Sequence, residues 1–279
     1  MSGRWSGRTV LAVAFLVGLL VILWLGSPAS LPRRTLVVTG SSTIAPVMAE
    51  IGRQFEADRP GVRVDVQSGG SSRGLADARH GLADIGMVSR NPLEGEGDLA
   101  WFPLARDGVA LILHRDNPIE SLDEKEVVGI YRGTIRNWRR LGGPDRPITV
   151  VNKAEGRSTL EVFLRHFGLS NEEIRADVII GDNEQGIKTV AGNPDAIGYV
   201  SIGTATYDIQ KGVPIKLPRL DGVEASLAHV RDGTFPVTRT LNLVVRGEPS
   251  GLAADFLNFS RSTRMNRVIR AFDFEPVHR

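Results

Sequence analysis

The sequence contains no cysteine among its 279 residues. It can therefore form no disulfide bond and carry no lipid-anchored cysteine. Basic clusters with interleaved aromatic residues, which are typical of nucleic-acid surfaces, are missing as well. The 34 basic and 32 acidic residues give a net charge of +2, and two of the basic residues, Arg4 and Arg8, precede an apolar segment at the N-terminus. The rest of the chain is neutral, so no nucleic-acid partner is predicted.

The sequence also lacks the common patterns of catalytic sites. Its five histidines form no HExxH or other metal-ligand spacing, and no GxSxG motif frames a nucleophile. The segment Gly181–Thr189 nearly spells a nucleotide-binding P-loop. It fails because Ile187 separates Gly186 from Lys188, whereas a P-loop lysine directly follows its glycine. We therefore expect no metal, no cofactor and no enzymatic activity.

Residues 1–30 differ in composition from everything that follows. Arg4 and Arg8 precede an uncharged apolar run, Thr9–Leu25, and small residues follow at Ser27 and Ala29. This pattern is typical of a secretory signal peptide, and the length of the run also suits a membrane anchor. The segment predicts export to a periplasmic or other extracytoplasmic location. It leaves open whether the segment is cleaved or tethers the protein to the inner membrane.

Beyond this segment, apolar strands alternate with amphipathic helices, which predicts an α/β fold. The first such unit has a strand at 36–38 and helical spacing from Ile44 to Phe55, with Ser41, Ser42 and Thr43 between them. Free N–H groups and the positive end of the helix dipole make such a junction an anion site. The simpler interpretation is that Ser42 or Thr43 only caps the helix.

The same arrangement of strand, small polar loop and helix occurs twice more. The second loop, 68–74, contains Ser71 and Ser72 among glycines, and the third, 152–159, contains two cations among its polar residues. Positive charge beside a helix N-terminus is unfavourable unless an anion lies between them. Alternatively, the second loop is a flexible turn and the cations point to water. The candidate ligands of the third loop are Lys153, Arg157, Ser158 and Thr159.

Arg90 is a further candidate, because it follows the compact strand 83–88. The ends of strands are where α/β proteins place ligand contacts. A guanidinium can only donate hydrogen bonds, so Arg90 in a site would favour anion oxygens that bear full charge.

Taken together, the loops resemble the phosphate-binding receptors of ABC uptake systems, a branch of the type II periplasmic binding proteins. The resemblance covers nearly the whole chain after residue 34. It is carried by Gly40-Ser41-Ser42-Thr43, Gly70-Ser71-Ser72, Ala83-Asp84-Ile85-Gly86-Met87 with Ser89-Arg90, Gly156-Arg157-Ser158-Thr159, and Ala196-Ile197-Gly198-Tyr199-Val200.

The resemblance implies two α/β lobes joined by a hinge, with an oxyanion bound in the cleft between them. We predict that residues 31–110 with 235–279 form one lobe and residues 111–234 the other. The implied ligand is phosphate or a related oxyanion, the implied partner is an ABC permease, and the protein is expected to be a monomer. A membrane-tethered sensory or scaffold domain of the same fold is the alternative, and an enzyme of phosphate-ester chemistry is a distant third.

The chain departs from the family pattern at two places. The third loop of the family usually reads Gly-Ser-Gly-Thr with an arginine before it, whereas this chain has Arg157 and Ser158 in the middle and Lys153 in the arginine position. Some phosphate receptors also have an aspartate where this chain has Arg90. These departures predict a site that donates hydrogen bonds and tolerates sulfate.

Overall fold

The computed structural model describes residues 34–278, and the chain from Thr35 onward forms one compact unit. The predicted signal peptide or anchor, residues 1–30, lies outside the described residues. Within 34–278, none of the helices combines the length and the apolar character that crossing a membrane requires.

The predicted alternation of strands and helices is confirmed. Nine α-helices are described: α1 Ala45–Ala57, α2 Ser71–His80, α3 Glu124–Tyr131, α4 Ser158–Phe167, α5 Asn183–Ala191, α6 Ile202–Gln210, α7 Leu227–Asp232, α8 Gly251–Ser260 and α9 Asn266–Ala271. The strands described are β1 Arg34–Gly40, β2 Val62–Ser68, β3 Ile85–Val88, β4 Leu99–His114, β5 Ser121–Leu122, β6 Thr149–Lys153, β7 Val178–Ile180, β8 Ala196–Ser201, β9 Ile215–Lys216, β10 Arg219–Leu220, β11 Thr238–Arg246 and β12 Glu275–Pro276.

Most strands join one sheet, in the order β2-β1-β3-β11-β4-β8-β6-β7. The pairs at its centre, β3–β11, β11–β4 and β4–β8, are antiparallel. The flanking pairs β1–β3, β6–β8 and β6–β7 are parallel. Parallel pairs require crossover connections, which the helices supply. The helix N-termini that follow β1, β2 and β6 therefore lie at the carboxyl ends of these strands.

The buried apolar side chains divide into two main cores, and we call the elements around each core a lobe. The first core joins β1, α1, α8 and the start of β4. The second joins the end of β4 with α3, α4 and β8. Strand β4 passes from the first core at Ala105 to the second at Val109. The chain returns from the second core at Val237, just before β11, to the first core at Leu241 within β11. The protein is thus a two-lobed α/β molecule whose central strands run through both lobes. The lobe boundaries predicted from the sequence stay a prediction.

Candidate anion-binding site

The three loops predicted from the sequence meet around one small cavity between the lobes. Its lining comes from four loops: Ser41, Ser42, Thr43, Gly70, Ser71, Ser89, Arg157, Ser158 and Thr159. The cavity volume among them is about 10 Å³, roughly the room of one water molecule. Pockets for drug-sized organic molecules have roughly 300–1,000 Å³, so this cavity is far too small for an organic ligand.

The three helices that begin at this cavity have no side-chain cap. The N-cap residues of α1, α2 and α4 are Ile44, Gly70 and Arg157, and none of them accepts a hydrogen bond from its helix. By contrast, Asp123 and Asp182 cap α3 and α5 through their side chains. Neither Ser42 nor Thr43 acts as a cap. The positive dipole ends of three helices without side-chain caps thus lie at the cavity, as in an anion site, although the N–H groups of Ala45, Ser72 and Glu161 donate to backbone carbonyl oxygens.

Gly70 makes the approach of the second and third loops possible. Its φ of +96° belongs to the region that favours glycine, and a Cβ at this position would lie 2.8 Å from the carbonyl oxygen of Gly156. Directly beside it, the N–H of Ser72 donates to the same carbonyl oxygen at 3.2 Å. The Ser72 hydroxyl does not line the cavity. Ser72 therefore joins the two loops through its backbone.

A buried arginine that sequence reasoning missed lies next to the cavity. Arg239 on β11 pairs in register with Asp107 on β4, and both are buried, with 3% and 1% of their surface exposed. Asp107 Oδ2 accepts from Nε at 2.9 Å and from Nη2 at 2.7 Å. The remaining N–H groups donate to cavity hydroxyls: Nη1 to Thr159 Oγ1 at 2.9 Å, Nη2 to Thr43 Oγ1 at 3.2 Å, and Nη1 weakly to Ser89 Oγ at 3.5 Å.

The geometry of this ion pair organises the hydroxyls of both lobes. Because Arg239 donates to Thr43 and Thr159, their own protons can turn toward the cavity. Asp107 offsets part of the guanidinium charge from the side of the central strands. The sequence did contain a signal for Arg239, since it alternates with Leu241 and Leu243 on the apolar face of a strand.

Lys153 is buried at the end of β6, and its Nζ has no hydrogen-bond partner among the described residues. Burial lowers the pKa of Lys153 to about 7, and the nearby charges of Arg239 and Arg157 act in the same direction. The buried Ser158 hydroxyl, which lines the cavity, likewise has no partner within residues 34–278. Unpartnered buried polar groups are costly and call for an explanation, and a bound ligand is one.

The structure does not bring Arg90 to the cavity. Its guanidinium is held by carboxylates: Nη1 and Nη2 each donate to Glu96 at 2.7 Å, and Nε lies 2.6 Å from Glu161 Oε2. The hydrogen bond from Arg90 lowers the pKa of Glu96. Glu161 lies on α4, so this ion-pair cluster joins the two lobes. Arg90 follows the end of β3, as the sequence indicated, but its side chain binds Glu96 and Glu161 and does not line the cavity.

Hydroxyls, uncapped helix N-termini and basic side chains around one small cavity define a two-lobed anion-binding protein. The domain of the PBP superfamily matches residues 26–264. The phosphate-binding protein PstS of Bacillus subtilis is 30% identical over 240 residues, which are 84% of this chain and 78% of the relative. The chain therefore belongs to the PBP superfamily and, within it, to the family of PstS phosphate-binding proteins, as the resemblance predicted.

Two solved structures support the fold assignment. A phosphate ABC transporter substrate-binding protein from Clostridium perfringens, solved with bound phosphate, is 30% identical to this chain, with a TM-score of 0.82. The match covers 88% of this chain and 100% of the Clostridium perfringens chain. An ABC-type phosphate transport receptor from Vibrio cholerae is 26% identical with a TM-score of 0.71 and is matched over 86% of this chain and 99% of its own. The two-lobed type II fold is thereby confirmed.

Proposed function

We propose that this protein is an extracytoplasmic solute-binding protein that captures inorganic phosphate, or a similar tetrahedral oxyanion, and delivers it to an ABC permease. The names of its relatives support the ligand and the transport role. The observation that carries the proposal is the group of cavity hydroxyls held by Arg239, beside the unpartnered Ser158 hydroxyl. Such a site offers hydroxyl donors and positive charge, as an oxyanion requires.

The residues around the cavity supply the proposed ligand set. Hydroxyl or backbone N–H donors come from Ser42, Thr43, Ser71, Ser158 and Thr159, and Arg157 lines the same cavity. Arg239 holds the hydroxyls, and Lys153 adds positive charge near Arg239 and Arg157. In this assignment Arg239 replaces Arg90 as the arginine of the site and acts through the hydroxyls that it holds, while Ser72 joins two loops through its backbone N–H.

The two lobes close over the anion by bending at the central strands. We assign residues 31–110 with 235–279 to one lobe and 111–234 to the other, because β4 and β11 change cores close to these boundaries. Residues 1–30 serve as a signal peptide or as a tether to the inner membrane, and the folded part works as a monomer outside the cytoplasm.

Calorimetric titration of the purified protein, first stripped of bound anion, tests the ligand. Phosphate is expected to bind, and sulfate and molybdate serve as competitors of similar shape. A protein that binds none of the three contradicts the proposal. Bound anion is also expected to raise the melting temperature, because a ligand of the folded state stabilises it by mass action.

Transport is separable from binding. In the native host, deletion of the gene is expected to reduce phosphate uptake at low external phosphate, and a Thr159→Val copy is expected to restore less uptake than the wild type. Unchanged uptake with intact phosphate binding would favour the sensory or scaffold role. Fractionation with N-terminal sequencing decides between cleavage near Ser30 and an uncleaved anchor, and a cytoplasmic protein would contradict export.

A further inference from the structure

Asn183 reaches the cavity wall from the opposite lobe. It is the first residue of α5, and its side chain is buried. Asp182 already caps this helix by accepting from the N–H of Gln185 at 2.8 Å, so the Asn183 amide is not needed as a cap. Instead its Nδ2 donates to Thr43 Oγ1 at 3.0 Å and to Thr204 Oγ1 at 3.2 Å.

The bond from Asn183 completes the accepting capacity of the Thr43 hydroxyl. A hydroxyl oxygen has two acceptor sites and one proton. Arg239 Nη2 occupies one site of Thr43 at 3.2 Å, and Asn183 Nδ2 occupies the other. The Thr43 hydroxyl can therefore form further hydrogen bonds only as a donor, and Thr43 lines the cavity.

The other cavity hydroxyls are less constrained. Thr159 accepts one strong bond, from Arg239. Ser71 Oγ accepts from the N–H of Ser89 at 3.2 Å and lies 3.5 Å from Ser89 Oγ, where either oxygen can donate. These hydroxyls keep an acceptor site that a protonated ligand oxygen could use. Thr43 does not.

We infer that Asn183 is a positioning residue for ligand selection: its amide, together with Arg239, fixes the Thr43 hydroxyl as a permanent donor to the anion. This inference rests on the proposed function. A donor-only hydroxyl binds a ligand oxygen that carries full negative charge more strongly than a protonated one, and it cannot accept the proton of a ligand hydroxyl. The interaction also joins the lobes, because Asn183 begins α5 of one lobe and Thr43 lies in the first loop of the other.

A double-mutant cycle with phosphate tests the inference. Asn183→Leu, which has similar size and no hydrogen bonds, is expected to lower phosphate affinity about tenfold, because the Thr43 hydroxyl is then no longer held in place for its charge-assisted bond to the anion. In a Thr43→Val background the same substitution is expected to change affinity less than about twofold, since the hydroxyl is gone. Thr204→Val is the matched control: it removes only the second bond of the same amide and should leave affinity within about twofold.

Asn183→Asp supplies a readout that a purely structural role would not move. The aspartate offers only acceptors, so it draws the Thr43 proton away from the cavity and leaves an oxygen facing the ligand. Relative to wild type at each pH, this variant should favour protonated phosphate and lose affinity as pH rises from about 6 to 8, where bound phosphate gives up its second proton. The same substitution in the Thr43→Val background measures the effect of the added charge alone. Lys153, Arg157, Arg239, Asp107 and Asp182, the charged groups around the site, are present in every variant.

The outcomes are distinct. Losses that simply add in the cycle, or an Asn183→Leu protein with wild-type affinity, overturn the inference while phosphate binding by the wild type still supports the proposed function. A wild-type protein that binds no phosphate overturns both. If Asn183→Leu does not fold, Asn183→Ala takes its place in the same cycle, with a thermal melt of each variant as the folding check.

Discussion

Two arginines of this protein are equally buried, with 3% of each residue exposed, yet their surroundings differ in kind. Arg90 is held by the carboxylates of Glu96 and Glu161. Arg239 has one carboxylate partner, Asp107, and donates its other N–H groups to hydroxyls of the cavity. Burial alone therefore does not show whether an arginine belongs to the anion site. What matters is which partners already take its hydrogen bonds.

The two arginine regions have different tasks on this account. The Arg239 region gathers Thr43 from one lobe and Thr159 from the other around the cavity. The Arg90 region joins Glu96 of one lobe to Glu161 of α4 in the other without reaching the cavity lining. The first governs which ligand binds, and the second contributes to holding the lobes together.

The largest effect is expected from Arg239→Met. Removing the guanidinium leaves Asp107 as an uncompensated buried charge, which should lower the free energy of unfolding by about 3–5 kcal/mol. It also releases the hydroxyls, so phosphate affinity should fall more than about a hundredfold, as for loss of several charge-assisted bonds. Chemical denaturation and calorimetry measure the two effects. Arg239→Met with Asp107→Asn should recover part of the stability and none of the affinity, and recovery of both would contradict the assignment.

Lys153→Met should lower phosphate affinity and yet spare the stability of the anion-free protein. With its pKa lowered to about 7, Lys153 binds a proton less readily in the folded state than in the unfolded state, where its pKa is ordinary. Between pH 7 and the ordinary pKa of lysine, the unfolded protein binds more protons than the folded protein. The free energy of unfolding should therefore rise with pH. From pH 7 to 9 the wild type should gain about 2 kcal/mol relative to Lys153→Met.

Denaturation of anion-free protein at both pH values measures this gain. Binding should also take up protons near neutral pH, because an anion favours the charged lysine. Titrations in buffers of different ionisation heat detect that uptake. Equal pH dependence of the wild type and Lys153→Met would place the lysine in an ordinary environment.

Thr159→Val and Ser72→Ala separate a cavity hydroxyl from a backbone contact. Thr159 receives a bond from Arg239 and lines the cavity, so its loss should weaken phosphate binding by about tenfold. Ser72 joins the loops by its N–H, which alanine retains, and its substitution should leave affinity nearly unchanged. Equal losses for both variants would restore the Ser72 hydroxyl to the ligand set.

The smallest effect on affinity is expected at the Arg90 cluster, where the pH dependence of stability is the better measure. Arg90 lowers the pKa of Glu96 below its ordinary value. The ionised Glu96 therefore stabilises the fold at any pH above the ordinary pKa of glutamate. This stabilisation is lost as the pH falls through the lowered pKa of Glu96 in the folded protein. Glu96→Gln should flatten the acid side of the stability profile and leave phosphate affinity unchanged at neutral pH. An unaltered acid profile would contradict the pairing.

The loops of the site could be predicted because each has a local signature. A strand, a run of small polar residues and an amphipathic helix follow one another within about twenty residues, and this pattern located Thr43, Ser71 and Thr159 correctly around one cavity. The absence of caps on these helices was not predictable, since a serine or threonine at a helix start usually is a cap.

The ion pairs could not be predicted because they depend on distant segments. Asp107 and Arg239 meet only because β4 and β11 pair in one register. Arg90 is diverted by Glu161, which approaches only when the second lobe packs against the first. Short motifs carry no information about such long-range partners, so they indicate neither the place of Arg239 beside the cavity nor the pairing of Arg90 with carboxylates.

The most direct test of this account compares two matched variants, Arg239→Lys and Arg90→Lys, by calorimetric titration with phosphate. Lysine keeps the positive charge and loses the planar fork of donors. Arg239→Lys should weaken phosphate binding by about tenfold to a hundredfold, because the bonds to Thr43 and Thr159 cannot both be kept. Arg90→Lys should stay within about threefold of wild type, since charge alone is enough to face its carboxylates. The reverse order, with Arg90→Lys the weaker binder, would contradict the central claim that Arg239 organises the anion site.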